Sequence, residues 1–419
     1  MRFRTGLALI AITTVLLGAA VVGLAGLFGS GGELTVRWTS DTARSIQGNH
    51  HAPAAGRIGN EGVVFAPTSG QLNTTECKLV ALRAPNGSKR WNYQVPSINC
   101  TIHSSADPTI ADYDSDGTRE VLATTTEEVV LAFDARTGTQ ELRANLSEYG
   151  YTEPIVTDLT GDRTKEIVVV DVKGKVFVLR PNGTTVWTKE LTSYTNAQPA
   201  VADFDANGRK ELAVGLISNG NLYLLDGNGT RQWKSTAPFD SSITWMTTGQ
   251  ADADKAIEVI PATTNGIVAA VDGASGEIEW RRDLGSLAAV HAFGDGDGDG
   301  EPEVYAVAKD GKLRSLNASD GTVEWTTTLT SADVQVTPPP NMGDVDGDGT
   351  PEIVAVTNGG RVSVVDPNSG EILATCEREG EIAIYTHPTV ADTDGDGTAE
   401  IYVMYGDGRV VALAYRRQG

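Results

Sequence analysis

An acidic loop that runs straight into a β-strand recurs seven times along this chain, and no other feature narrows the fold as much. Its clearest copy reads Asp392-Thr393-Asp394-Gly395-Asp396-Gly397-Thr398-Ala399-Glu400-Ile401. Carboxylates at alternate positions converge on one point, a Gly at the sixth position takes the positive φ of a sharp turn, and an acid at the ninth closes the set. That is the layout of a calcium-binding loop. The loops open at residues 112, 158, 203, 250, 295, 344 and 392, at intervals of 45 to 49 residues. A period in the forties points to a β-propeller or another repeat array, and so to one closed domain rather than two or three separate ones.

Each unit holds four short β-like runs, here named A to D from the axis outward. The fourth repeat shows them as Gln198–Asp203, Glu211–Val214, Asn221–Asp226 and Gly229–Trp233, divided by Gly, Asn and Asp turns. A Trp recurs in the D run four residues after a turn Gly, at 91, 187, 233, 280 and 325, while Leu142 and Ala374 hold that position in repeats 2 and 7. Five copies of one large ring indicate packing between neighbouring repeats, not a single ligand site. B runs number eight, from Gly62–Phe65 onward, and so do C runs, the last being Gly408–Leu413. The chain then ends without a D run, whereas Glu33–Trp38 offers one before the first A run. The sequence therefore predicts an all-β, eight-bladed propeller over 33–419, closed by its N-terminal strand and carrying calcium-type loops in blades 2 to 8.

Ahead of it, Arg2 and Arg4 precede an uncharged apolar run from Gly6 to Phe28, long enough to cross a bilayer as a helix. Residues 1–28 are expected to be a signal anchor and 29–32 a Gly/Ser linker, which places the propeller outside the cell membrane on a single-pass anchor. Cleavage near Ala20 or Ala25 remains the alternative. Seven N-x-Ser/Thr sequons, beginning at Asn73, suit an exported glycoprotein surface. Cys77 and Cys100 fall within one repeat and are the candidate disulfide of an exported chain, against two free thiols; Cys376 reads as a buried apolar residue. A net charge of −22 argues against nucleic acid as a partner. With 11 Lys among 33 basic residues, the balance also resembles that of haloarchaeal proteins.

The C–D hairpins, such as Val271-Asp272-Gly273-Ala274-Ser275-Gly276-Glu277-Ile278-Glu279-Trp280, resemble the repeats of quinoprotein (PQQ-like) propellers. The A–B loops resemble the FG-GAP/VCBS repeats of integrin-α-like propellers. The second resemblance implies calcium held by Asp112/Asp114/Asp116/Glu120, Asp203/Asp205/Asn207/Glu211, Asp295/Asp297/Asp299/Glu303, Asp344/Asp346/Asp348/Glu352 and Asp392/Asp394/Asp396/Glu400. Two loops depart from it. Blade 3 has Thr160 at the third position and Arg163 at the Gly position; blade 5 has Gln250 at the first and Lys255 at the Gly position, so these basic residues are expected to stand in for the ion. The first resemblance implies quinone binding, but the chain has neither the vicinal Cys pair nor the C-x-x-C-H haem motif of such dehydrogenases.

Five histidines lie just before or within A runs, near the central opening: His50, His51, His103, His291 and His387. With Tyr151, Tyr194, Trp245 and Tyr385 they form the candidate ligand surface, read either as a solvated channel lining or as an imidazole and aromatic site for a ligand or transition metal. No catalytic grouping stands out. The expected function is a membrane-anchored, calcium-stabilised binding or scaffold module for a protein or envelope polysaccharide. The alternative is a quinone-dependent dehydrogenase or polysaccharide-acting enzyme using the channel.

Overall fold

The computed structural model describes residues 31–217, 220–235, 240–380 and 382–418. Eight four-stranded antiparallel sheets form eight blades. Blade 1 runs from Ala54–Ile58 to Lys89–Gln94, and the next six follow in chain order to Ile372–Glu377. Blade 8 takes Thr389–Ala391, Glu400–Met404 and Val410–Arg417 from the C-terminal end and Gly32–Thr39 from the N-terminal end. The predicted closure is therefore present, with Leu34 opposite Tyr415 and Trp38 opposite Ala412 in an antiparallel register. The innermost strands of blades 8 and 1 then meet and complete the ring. The expected membrane segment lies outside the described residues, among which no helix is long and apolar enough to cross a membrane.

The B strands after the seven loops are buried at every position. They read as continuous apolar runs because both faces of each sheet are covered, yet successive side chains still point to opposite sides. Val63 and Phe65 pack against blade 2, while Val64 and Ala66 pack against blade 8. The core is accordingly eight inter-blade layers rather than one central mass.

All eight D strands carry a β-bulge at the residue before the Trp position: Arg37, Arg90, Glu141, Val186, Gln232, Glu279, Glu324 and Leu373. A bulge adds twist and re-aims the next side chain. Each Trp then reaches the following blade and donates its indole N–H to a carbonyl of that blade's C–D turn. The acceptors are Ala84 for Trp38 (2.6 Å), Ala135 for Trp91 (3.1 Å), Gly227 for Trp187 (2.9 Å), Gly273 for Trp233 (2.7 Å), Ala318 for Trp280 (2.6 Å) and Pro367 for Trp325 (2.7 Å). The ring lies on the turn Gly of the same hairpin: a Cβ on Gly321 would come within 2.5 Å of Trp280, and its φ is +69°. Blade 7 lacks the Trp because its neighbour has no C–D turn, strands C and D of blade 8 coming from opposite ends of the chain. In blade 2, Leu142 packs on Gly183, and nothing in the structure explains the missing indole.

Cys77 and Cys100 form a disulfide with Cα atoms 5.4 Å apart, tying the B–C loop of blade 1 to the linker into blade 2. Cys376 is free and only half-buried, contrary to the expectation of a buried residue, because D strands form the outer edge of each blade.

The latch yields a paired test. Gly285 has φ +104° with open space around its Cα, so Gly285→Ala carries only the left-handed backbone penalty of about 1–2 kcal/mol. Gly321→Ala carries that penalty and also displaces the Trp280 ring, and Trp280→Ala should cost about 3–5 kcal/mol. Denaturant melts in which Gly321→Ala matches Gly285→Ala would show that the indole contact contributes nothing.

Candidate functional site

One face of the ring carries the acidic loops. In six of them the ninth-position Glu accepts the second-position backbone N–H at 2.9–3.2 Å, and Ala251 and Glu258 make the same contact in blade 5. These seven glutamates sit at the start of B strands and are at most 8% exposed. The first-position Asp accepts the sixth-position N–H, as in Gly300 to Asp295 (3.1 Å) and Gly349 to Asp344 (2.8 Å). The backbone thus wraps around a point toward which the carboxylates turn.

Ligand oxygens of Asp295, Asp297, Asp299 and Glu303 lie within 4.8 Å of one another, as do those of Asp112/Asp114/Glu120 and Asp203/Asp205/Glu211. Asp116 instead accepts the Thr118 N–H (2.7 Å) and hydroxyl (2.6 Å), and the Asn207 amide donates to Asp205 (2.7 Å). Asp112 Oδ1, Asp203 Oδ1, Glu258 Oε1 and Glu303 Oε1 are buried without a hydrogen-bond partner. An oxygen cage of this kind suits a hard cation such as calcium. The donor set fits.

The two departing loops differ from expectation. Both gather three carboxylates, Asp158/Asp162/Glu166 and Asp252/Asp254/Glu258. In blade 3 the cation is Arg180, from the C–D turn, which binds Asp162 at 2.7 Å and Glu166 at 2.5 Å. Arg163 is exposed at φ +72° and contributes only its backbone N–H, to Asp158 (2.9 Å). Lys255 is likewise exposed, with no ion pair among the described residues. In blade 7 the C-terminal Arg417 reaches Asp348 at 2.9 Å.

The opposite face holds the D–A and B–C loops and the mouth of the central channel. A cavity of about 220 Å³ there is lined in part by His50, His51, Tyr151, Trp245, His291, Tyr385 and His387. His103 joins them through ring contacts with His50 (5.1 Å) and Tyr151 (5.1 Å), and His291 stacks on His387 at 4.3 Å. Tyr194 does not belong to this group. It is 52% exposed and lines a separate hollow beside Lys173, its carbonyl pairing with the Ile217 N–H.

The centre of the cluster is Asp107, which sequence reasoning missed. Its Oδ1 accepts from His51 Nδ1 (2.7 Å) and the Ala52 N–H (3.1 Å), and its Oδ2 lies 3.6 Å from His387 Nε2. Burial opposes its charge, but the two imidazoles hold the carboxyl well below the usual range. Burial likewise works against His387, and Asp107 overcomes it and raises the imidazole. Burial pushes His50 down to about 4 and His103 and His291 to about 3, so these rings are neutral near pH 7. Glu153 was also missed; burial pushes it up to about 7, against a 2.9 Å hydrogen bond from Thr109. One signal marks these positions: Asp107, Glu153, Gln198 and His387 each precede a Pro that opens an A strand.

The family model described as outer membrane protein assembly factor BamB matches residues 30–160, 159–286 and 218–419. Among solved structures, BamB from Moraxella catarrhalis is similar at 18% identity, covering 92% of this chain and 99% of that one with a TM-score of 0.63. The computationally designed Ika8 protein is similar at 13% identity, covering 90% and 99% with a TM-score of 0.63. The quinohemoprotein alcohol dehydrogenase ADHIIG from Pseudomonas putida HK5 is similar at 11% identity, covering 91% and 76% with a TM-score of 0.64. At these identities the structures share the fold. No significant relative was found among curated protein sequences.

The loops carry a pH signature when no ion is bound. Burial, reinforced by neighbouring loop aspartates, pushes Glu211, Glu258, Glu303 and Glu352 from near 4.5 up to about 7. A carboxyl raised on folding stabilises below its unfolded pKa, and that stabilisation is lost as pH climbs through the folded value. With chelator present, the melting temperature should fall as pH rises from about 5 to about 8. A flat or rising profile in chelator would mean that these carboxylates are not held close together.

Proposed function

Because the chain belongs to the outer membrane protein assembly factor BamB family, we propose that it is a binding module that presents the channel-mouth face of its propeller to a polypeptide. The observation that carries this reading is where its exposed apolar side chains gather. Of the six large exposed hydrophobics among the described residues, Leu72, Ile98, Ile102 and Tyr194 lie in B–C or D–A loops of that face. Such residues clustered on a loop face, rimmed by polar groups, mark a protein contact surface. The platform under the first three is firm: the Cys77–Cys100 disulfide, Gly70 N–H to Thr101 O (3.2 Å) and Asn73 N–H to Ser97 O (2.9 Å) bind its two loops together.

In this reading residues 1–28 anchor the module on the extracytoplasmic side of the cell membrane, and calcium fills the acidic face as a structural ion. Strand D of blade 8 starts at Gly32, so the anchor tethers the calcium face and leaves the other face directed outward. The channel cavity of about 220 Å³ is smaller than the ~300–1,000 Å³ typical of small-molecule sites, which favours protein binding over a quinone-dependent dehydrogenase. Added pyrroloquinoline quinone should leave both absorbance and melting temperature unchanged. A saturable shift in either would favour the enzyme.

Photo-crosslinking of the full-length protein in intact cells tests the face. Ile98→Asp and Ile102→Asp should reduce crosslinked polypeptide at least tenfold without moving the melting temperature, while Val323→Asp, on the calcium side, should not. The reverse pattern would assign binding to the other face. Calcium is tested separately. A site that binds only the folded state adds about 2.7 kcal/mol at a hundredfold excess over Kd, so chelation should lower the melting temperature and calcium restore it. Asp394→Ala should abolish more of that response than Thr160→Ala, and equal melts with and without chelator would remove calcium from the account.

A further inference from the structure

Three imidazoles meet at the channel mouth. His50 and His51 precede the A strand of blade 1, and His103 precedes that of blade 2. The ring centres of His50 and His103 are 5.1 Å apart, and those of His51 and His103 are 5.9 Å apart. On each ring one nitrogen is buried without a hydrogen-bond partner: Nδ1 of His50, Nε2 of His51 and Nδ1 of His103. His51 is only 2% exposed. A buried polar atom without a partner costs about 1–3 kcal/mol, so three on adjacent rings call for a shared explanation.

The opposite nitrogen of His51 fixes the chemistry of one ring. Asp107 accepts from His51 Nδ1 at 2.7 Å, which leaves the lone pair on Nε2. The Ile102 backbone lies beside the His50 ring, whose Nδ1 has no partner of its own. His50 Nδ1 and His103 Nδ1, both without a partner, can take the same acceptor form, and one cation then satisfies all three nitrogens where a single water, donating two protons, does not.

We propose that His50, His51 and His103 form a binding site for one divalent transition-metal ion of the zinc(II) or cobalt(II) class. With metal–nitrogen distances of about 2.0–2.1 Å, each ring centre lies about 3.2 Å from the ion, and rings set about 90–110° apart have centres about 4.5–5.2 Å apart. The His50–His103 spacing falls in that interval, and the His51–His103 spacing reaches it with a ring shift of under about 1 Å. Asp107 is the outer carboxylate that orients a ligating His and strengthens its basicity. Tyr151, 4.9 Å from the His51 ring, covers one side, while His50 and His51 border the open cavity from which a fourth ligand enters. Borderline ions favour imidazole and hard calcium favours oxygen, so the two faces select different metals. The site is independent of polypeptide capture.

Cobalt(II) titration of the full-length protein in detergent tests the proposal, with calcium saturating so that the acidic loops are filled. The expected result is one saturable equivalent with visible d–d absorption, displaced by zinc. His51→Ala and His103→Ala should each weaken binding at least tenfold, and His291→Ala, in the neighbouring stacked pair, should not. No saturable cobalt, or wild-type binding in both variants, overturns the site. Calcium-dependent melting reports folding of each variant. If His51→Ala does not fold, His103→Ala decides alone.

Discussion

Eight sheets that bury both faces can do so only if the ring closes, and everything else in this molecule depends on that condition. Alternate residues of a single B strand belong to different cores, so no blade has a hydrophobic interior of its own. The N-terminal strand shows the consequence most sharply. Leu34 joins the core between blades 7 and 8, and Trp38 joins the one between blades 8 and 1. By strict alternation these two residues would share a face; the bulge at Arg37 moves Trp38 to the other side. Removing this strand would open two of the eight interfaces and leave a row of unpaired backbone groups along Val410–Arg417.

The same bulge explains how a modest sequence signal becomes a geometric device. A Trp at this position in an unbulged outer strand would face the preceding blade. With one extra residue before it, the indole crosses to the neighbouring C–D turn, where an N–H finds a carbonyl and a Gly makes room for the ring. Trp and Gly are thus requirements of two different blades on each other. This accounts for Ala374, because the blade it faces has no such turn to receive an indole.

The architecture was legible because its signals are local and repeated: short apolar β-like runs, turn glycines, and carboxylates at fixed offsets. The missing C-terminal D strand beside a stray N-terminal one was enough to read closure. Less local features stayed hidden. Arg180 reaches the blade 3 loop from a turn 14 residues beyond Glu166, so position within the loop gave the basic role to Arg163. Asp107 and Glu153 are ordinary acids in sequence, and only the ring geometry brings their pre-proline positions together around the channel. Tyr194 shares a loop type with Tyr151 but stands two positions earlier in it, matching Tyr149, and the carbonyls of Tyr149 and Tyr194 make the same bond, to the Val172 and Ile217 N–H.

The two faces are electrostatic opposites, and the fold keeps them apart. Twenty-six of the 55 acidic residues stand in the seven loops, so repulsion is concentrated on one side of a molecule whose net charge is −22. With Arg180 serving blade 3, six divalent ions would bring 12 positive charges and leave about −10, relieving that side without touching the other. At the channel mouth three of the five imidazoles are neutral near pH 7, and the Asp107 carboxylate is already paired. On the proposed reading, salt and calcium would act chiefly on the stability of the acidic face. Partner contacts at Leu72, Ile98 and Ile102, as proposed, would depend on apolar area, which ionic strength hardly weakens. Separating the acidic surface from the apolar one would let the proposed ion binding and the proposed partner contact proceed without competing for the same residues.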